Sequence, residues 1–123
     1  MNWVQLGNTF SWSNGYGSFK TSLSENGRVA AIGIPTDNSG GSIEIYEYND
    51  VSWNQLGNTI DSSAGDYRIG VKGIQLSGDG ENIIFGDASS NNDTGVSRVY
   101  NYDSSSNEWL QKGSDISGEN SGD

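Results

Sequence analysis

The chain has 123 residues, of which 32% are hydrophobic, and it carries a formal net charge of −10 with no Cys and no His. This composition excludes disulfides, thiol nucleophiles and His-based acid–base or zinc sites, and it argues against partners such as nucleic acid or anionic membrane surfaces. Four Trp, six Tyr and three Phe still supply large apolar areas, and the Ser, Asn, Asp and Gly between them are typical of short strands joined by turns.

The first unit of the chain begins with a Trp-containing motif at residues 3–10, followed by a Gly- and Ser-rich connection. Further strands are predicted at 18–24, 28–33 and 41–48. Between the first two of these strands, Asn26 and Gly27 form a strong hairpin signal, since both residue types accept a positive φ. The Trp motif then returns almost unchanged at 53–60 and closes the unit.

A second unit repeats the same order of patterns. It has a strand at 67–77, a turn at 78–80, an apolar strand at 82–86, a strand with alternating Tyr at 96–102 and a third Trp motif at 109–116. The motifs open at Trp3, Trp53 and Trp109, which are 50 and 56 residues apart. A period in this range indicates a repeat architecture, and the repetition predicts that these three tryptophans pack between units.

The pattern predicts an all-β fold made of four-stranded antiparallel blades of a β-propeller-like repeat, with about two blades and one extra strand. The expected boundaries are a leading Trp strand and connection at 1–16, a first blade at 17–60, a second blade at 61–116 and a tail towards a next repeat at 117–123.

Short motifs follow one another along nearly the whole chain: Trp-x-Gln-Leu-Gly and Tyr-x-Tyr each occur twice, and Leu-Ser-x-Asp-Gly and Ala-Ile-Gly-x-Pro each occur once. In this order they resemble the FG-GAP or integrin-α-like propeller repeat, in the variety that occurs in tandem in large surface and secreted proteins of microbes and algae. The resemblance implies a propeller fold and an extracellular or cell-surface location. It does not define a function, because one fold hosts many functions.

Calcium is the cofactor that the resemblance implies, held in an Asp- and Asn-rich loop between the second and third strands of a blade. The candidate ligands are Asp87, Asn91 and Asp93 in one loop and, as a poorer match, Asp37 and Asn38 in the other. Neither loop has the full alternating series of a strong calcium loop, so a solvated turn is the alternative.

Two other kinds of site can be predicted. Asn92 lies in the sequon Asn-Asp-Thr and is a candidate for glycan attachment in a secreted protein. Trp12 and Tyr16 interrupt the repeat in a connecting loop, which makes them candidates for contact with a ligand such as a glycan. No pair of carboxylates has a spacing that indicates acid–base catalysis, so no catalytic residue and no enzymatic activity are predicted.

The count of strands points to assembly as the function. The sequence holds three Trp motifs but two of each other strand, so either it is an excerpt of a longer protein or copies of it associate. We expect a non-enzymatic extracellular structural or adhesion module that assembles head-to-tail with other copies or blades, as a ring or a filament. The alternatives are a glycan-binding propeller lectin and a non-catalytic propeller part of a larger secreted enzyme. Membrane insertion is not expected, because no apolar run approaches the roughly 18 residues of a spanning helix.

Overall fold

A computed structural model of the chain describes residues 2–12, 20–34, 41–61, 69–87 and 95–119. In these ranges the chain forms ten strands in two antiparallel sheets and no helix, so the all-β prediction is confirmed. It follows that none of these ranges holds a helix long and apolar enough to cross a membrane. The first sheet contains β1 (Lys20–Leu23), β2 (Val29–Ile34), β3 (Ser42–Tyr48), β4 (Trp53–Gln55) and β5 (Ile60–Asp61). The second contains β6 (Ile69–Leu76), β7 (Asn82–Asp87), β8 (Val96–Asp103), β9 (Glu108–Gln111) and β10 (Ile116–Ser117).

Both sheets have the same strand order. The first runs β1-β2-β3, with β4 and β5 both paired to β3, and the second runs β6-β7-β8, with β9 and β10 both paired to β8. The predicted continuous strand at 53–60 is therefore broken into two short strands. The reason is Gly57, whose φ of +76° turns the chain out of the sheet between them. The sheets span residues 20–61 and 69–117, and the predicted domain boundaries stay a prediction.

The turn between the first two strands has the same hydrogen bonding in both sheets. Asn26 and Asp79 each accept the backbone N–H of the residue two positions later, in both cases at 2.9 Å. Gly27 and Gly80 follow them with φ of +74° and +75°. The two sheets are thus local copies of one unit, and residues that occupy the same place in both are called equivalent below.

The core lies between the two sheets. It is a single cluster of buried side chains, formed by Val29, Ala31, Ile43, Ile45 and Ile60 from the first sheet and Ile69, Leu76, Ile83, Phe85 and Trp109 from the second. Each Ile, Leu and Phe of this cluster contributes about 1.5–3 kcal/mol by leaving water. Each sheet consequently has an inner face in the core and an outer face on the opposite side.

Residues 2–12 lie against the outer face of the first sheet without forming a strand. The ring of Phe10 is 4.7 Å from that of Tyr46, and the Trp12 indole N–H donates to Glu44 Oε1 at 3.2 Å. The strand predicted at 3–10 is therefore absent, because β3 already pairs with β4 and β5 and offers this segment no free edge.

Candidate functional site

A contact between a glycine-containing loop and the Trp of the next motif joins the two sheets. The Trp109 indole N–H donates to the Leu56 carbonyl at 2.9 Å, and the Trp109 backbone N–H donates to Asn58 Oδ1 at 2.7 Å. A Cβ added at Gly57 would lie 2.7 Å from Trp109 Cδ1, which is closer than real Cβ contacts. The loop therefore needs glycine both for its positive φ and for the close approach of the indole.

The same contact occurs once more, on the outer face of the first sheet. The Trp53 indole N–H donates to the Leu6 carbonyl at 2.9 Å, and the Trp53 backbone N–H donates to Asn8 Oδ1 at 2.9 Å. Gly7 has a φ of +72°, and a Cβ there would lie 2.9 Å from Trp53 Cδ1. Two loops 50 residues apart thus bind two tryptophans through the same atoms.

A third loop, at residues 111–115, has this shape but meets no tryptophan. Gly113 has a φ of +79°, and an added Cβ would have no described neighbour within 4 Å. The Gln111 side chain donates to Asp115 Oδ1 at 2.7 Å, as the Gln55 side chain donates to Thr59 Oγ1 at 2.9 Å in the second loop. The third loop is therefore preformed for a contact that it does not make in this chain.

An ion pair holds the third loop to β8. The Arg98 guanidinium donates to the two carboxylate oxygens of Asp115 at 3.0 and 3.2 Å. These bonds, with a smaller effect of the Gln111 side chain, hold the pKa of Asp115 below its usual value. Asp115 therefore stays ionised to a lower pH than a free Asp and keeps accepting the bonds that shape the loop.

The outer face of the second sheet carries exposed apolar side chains. Ile84, Leu110 and Ile116 are 43%, 47% and 60% exposed, and the strand register places all three on this face. By contrast Ile60, the equivalent of Ile116, is 3% exposed because it is covered by the second sheet. We call this surface the tail face and define it by Ile84, Leu110, Ile116 and Gly113.

The outer face of the first sheet has exposed equivalents of core residues too. Leu23 is 59% exposed, whereas its equivalent Leu76 is 5% exposed. A Cβ at Gly27 would have no described neighbour within 4 Å, whereas one at the equivalent Gly80 would lie 2.9 Å from Val29 Cβ. We call this surface the head face and define it by Leu23, Gly27, Ile32, Tyr46 and Trp53.

A hydrogen-bonded aromatic cluster lies on the head face. The Tyr46 hydroxyl donates to Glu44 Oε1 at 2.7 Å, and the Trp12 indole donates to the same oxygen at 3.2 Å. Burial, helped by the hydrogen bond to the Glu44 carboxylate and by its negative charge, raises the pKa of Tyr46 to about 12. Tyr46 therefore stays a neutral donor at all physiological pH values.

A groove of about 430 Å³ opens beside this cluster. The Phe10 and Trp12 rings are 6.1 Å apart and within 10° of parallel. The groove is lined by Phe10, Ser11, Trp12, Thr21 and Ile32. Of the two residues predicted to contact a ligand, Trp12 thus lies at a groove, while Tyr16 lies outside the described residues.

The three tryptophans predicted to pack between units differ in burial. Trp109 is 2% exposed, Trp53 is half-buried and Trp3 is 95% exposed. Trp3 does not pack between units within the described residues, contrary to the prediction. Each glycine-containing loop binds the Trp of the following motif, and no motif precedes Trp3 among the described residues. The hydrogen-bond acceptors that these loops offer to a Trp were also not predicted from sequence. Their signal is a Gly four positions after each Trp and a polar residue five positions after it.

The predicted calcium and glycan-attachment residues are ones whose side chains the structure does not describe. The backbone of Asp87 ends β7, but nothing is described of its side chain. Outside the described residues lie Asp37, Asn38, Asn91, Asn92 and Asp93. Calcium binding and glycan attachment therefore stay predictions. Within the described ranges, no group of three His, Cys, Asp or Glu side chains could hold a metal ion.

A scan against protein-family models, a search of curated proteins and a search of solved structures find no match to the chain. The resemblance to FG-GAP repeats accordingly stays a prediction, and the functional proposals below rest on the geometry of the head and tail faces.

Proposed function

We propose that the protein is a non-enzymatic structural repeat module whose sheets are propeller-like blades that stack head-to-tail with other copies, in an extracellular or cell-surface assembly. One observation carries the proposal: positions buried between the two sheets have exposed equivalents on the outer faces. Ile60 is 3% exposed and Ile116 60%, while Leu76 is 5% exposed and Leu23 59%. Clustered exposed apolar side chains of this kind mark interaction surfaces.

The contact between the two sheets supplies a template for contact between copies. In a contact between copies that is built like the contact between the two sheets, the tail face of one copy covers the head face of the next. Gly27 of the second copy then meets Asn82 of the first copy, because Asn82 is the equivalent of Val29. The loop around Gly113 then receives Trp53 of the second copy. Such a contact joins different surfaces, so it repeats along an axis unless its rotation closes a ring.

The contact between copies should be weaker than the contact within the chain. Asn82, Ser97 and Lys112 occupy the places of Val29, Ile43 and Leu56, so the tail face lacks three aliphatic side chains of the inner face. Each missing aliphatic side chain removes about 1.5–3 kcal/mol of burial. We therefore expect reversible association that depends on protein concentration.

Sedimentation equilibrium of the wild type and of glycine variants tests the proposal. Asn tolerates a positive φ, so Gly113→Asn and Gly27→Asn should keep the fold while placing a side chain in the contact. We expect the average mass of the wild type to rise with concentration and that of both variants to stay near 13.2 kDa. Ser104→Asn, in an exposed turn, is the matched control and should associate as the wild type does. A wild type that stays monomeric at about millimolar concentration, a thousandfold above a micromolar Kd, would contradict the proposal.

Glycan binding is a second candidate function, favoured by the groove beside Trp12. Its two nearly parallel rings at 6.1 Å offer apolar surface, and Ser11 and Thr21 offer hydroxyl groups. Sites of this kind combine an aromatic lining with a few polar groups. Titration with mono- and oligosaccharides should then change the tryptophan fluorescence of the wild type but not of Trp12→Ala. An array of glycans with no bound member would exclude this function.

A further inference from the structure

We propose that residues 2–12, called the cover segment, occupy the place on the head face that residues 109–117 of a second copy take in the assembly. Docking then requires the second copy to displace the cover segment. The proposal rests on the head-to-tail association proposed above. It adds that residues 109–117 of the second copy bind the head face and that the cover segment competes with them.

The cover segment binds the head face through the atoms that a second copy would use. Trp53 donates from its indole to the Leu6 carbonyl at 2.9 Å and from its backbone to Asn8 Oδ1 at 2.9 Å. Within the chain, the equivalent atoms of the 56–58 loop accept the same two bonds from Trp109. Residues 112–114 are the corresponding part of the third motif.

The two segments cannot bind Trp53 at the same time. An indole has a single N–H to donate, and that of Trp53 is held by the Leu6 carbonyl. Gly7 also lies so close that an added Cβ would be 2.9 Å from Trp53 Cδ1. The loop around Gly113 can therefore reach Trp53 of another copy only when the loop around Gly7 has left.

The cover segment is held more loosely than its equivalent in the first sheet. Its side chains Trp3, Val4 and Leu6 are 95%, 80% and 55% exposed, and none of its residues belongs to a strand. By contrast Ile60, the equivalent of Phe10, pairs with Ile43 in the sheet and is 3% exposed. A second copy would bring not only a loop but a whole sheet face with Ile84, Leu110 and Ile116.

Competition of this kind makes association sensitive to the cover segment. The apparent affinity of a site that is only partly accessible is the intrinsic affinity reduced by the accessible fraction. Removing one hydrogen bond of the cover segment should therefore raise the association constant. For Asn8→Ala, which deletes the bond to the Trp53 backbone, we expect a rise of about two- to tenfold, the effect of one ordinary hydrogen bond.

Sedimentation equilibrium of four proteins tests the proposal: the wild type, Asn8→Ala, Asn58→Ala and Asn8→Ala combined with Gly113→Asn. Asn8→Ala should associate more strongly than the wild type, and the combined variant should be monomeric. Asn58→Ala is the matched control, because it deletes the equivalent bond inside the chain, to the Trp109 backbone. It should lower the stability of the fold without strengthening association. A synthetic peptide of residues 2–12, added in excess, should weaken the association of Asn8→Ala.

The outcomes separate this proposal from the one on which it rests. If the wild type and Asn8→Ala associate equally, or Asn8→Ala associates more weakly, the cover segment does not compete and this proposal is overturned, while head-to-tail association stands. If none of the proteins associates at any concentration, both proposals are overturned.

Discussion

At the scale of single residues, three tryptophans that open copies of the same motif have three different environments. Trp109 lies in the core, Trp53 lies under the cover segment and Trp3 is 95% exposed. The local sequence determines the motif, but the burial of its Trp depends on whether a preceding unit supplies a glycine-containing loop. The energetic role of each Trp should follow this order.

Replacing the three tryptophans one at a time by Ala should give graded losses of stability. Trp109→Ala should cost about 3–5 kcal/mol, as for other buried aromatic residues. Trp53→Ala should cost less, and Trp3→Ala should stay within about 0.5 kcal/mol of the wild type, as for other surface positions. Urea unfolding followed by far-ultraviolet circular dichroism measures the three free energies of unfolding. Equal costs for Trp3 and Trp109 would show that this assignment of environments is wrong.

Tyr46 should make stability depend on alkaline pH. Its pKa is raised from 10.0 to about 12 in the fold, so the folded state holds the phenol proton more tightly than the unfolded chain. The resulting stability is fully present below pH 10 and is lost as the pH rises from 10.0 through about 12. The melting temperature should therefore fall more steeply over this range for the wild type than for Tyr46→Phe. Parallel pH profiles of the two proteins would exclude the effect.

At the scale of elements, the main strands and the tight turns at 26–27 and 78–80 were predictable from sequence, and the loops that bind a distant tryptophan were not. The patterns at 41–48 and 82–86 lie within one residue of the observed β3 and β7, because apolar alternation in the first, an apolar run in the second and the flanking turn residues specify them locally. The break at Gly57 could not be predicted, since the loop serves Trp109, 52 residues later.

The structure of the cover segment also could not be predicted from its local sequence. Residues 3–10 and 53–60 have nearly the same sequence, yet strands form only in the second of these ranges. Pairing needs an adjacent strand edge, and β3 supplies it to β4 and β5. The candidate site on the head and tail faces was predictable only as an expectation of assembly, because its residues come from both sheets.

The glycines of equivalent loops should differ in their tolerance of a side chain. A Cβ at Gly57 would lie 2.7 Å from Trp109 Cδ1, whereas one at Gly113 would have no described neighbour within 4 Å. Gly57→Asn should therefore cost about 1–3 kcal/mol, as overpacked core positions do. Gly113→Asn should cost less than Gly57→Asn in dilute solution, because it carries only the strain of an Asn at a φ of +79° and meets no described neighbour. Thermal melts of both variants at low concentration make the comparison, and equal losses of stability in the two variants would mean that the loop around Gly113 is already packed.

At the scale of the whole molecule, the net charge of −10 opposes association of identical copies. Salt screens such repulsion, since the Debye length falls from about 10 Å at 0.1 M to about 3 Å at 1 M. An interface formed by apolar side chains should therefore strengthen as salt is added. Light scattering across this range measures the change. A decrease in association with salt would instead indicate an interface dominated by ion pairs.

The most direct measurement of head-to-tail stacking is a disulfide between copies at a position that the internal contact specifies. Within the chain, an added Cβ at Gly78 lies 3.6 Å from Glu25 Cβ, which suits a disulfide. The repeated contact brings residue 78 of one copy to residue 25 of the next. Because the chain has no Cys, copies carrying Glu25→Cys can be mixed with copies carrying Gly78→Cys and oxidised.

Head-to-tail stacking predicts a covalent dimer in this mixture, with mass spectrometry identifying the link between positions 25 and 78. The double variant in one chain should close an internal disulfide and serves as the positive control. A mixture of Glu25→Cys with Ser104→Cys should give only background dimer. Equal dimer in both mixtures, or none under conditions where the copies associate, would contradict stacking of the tail face on the head face.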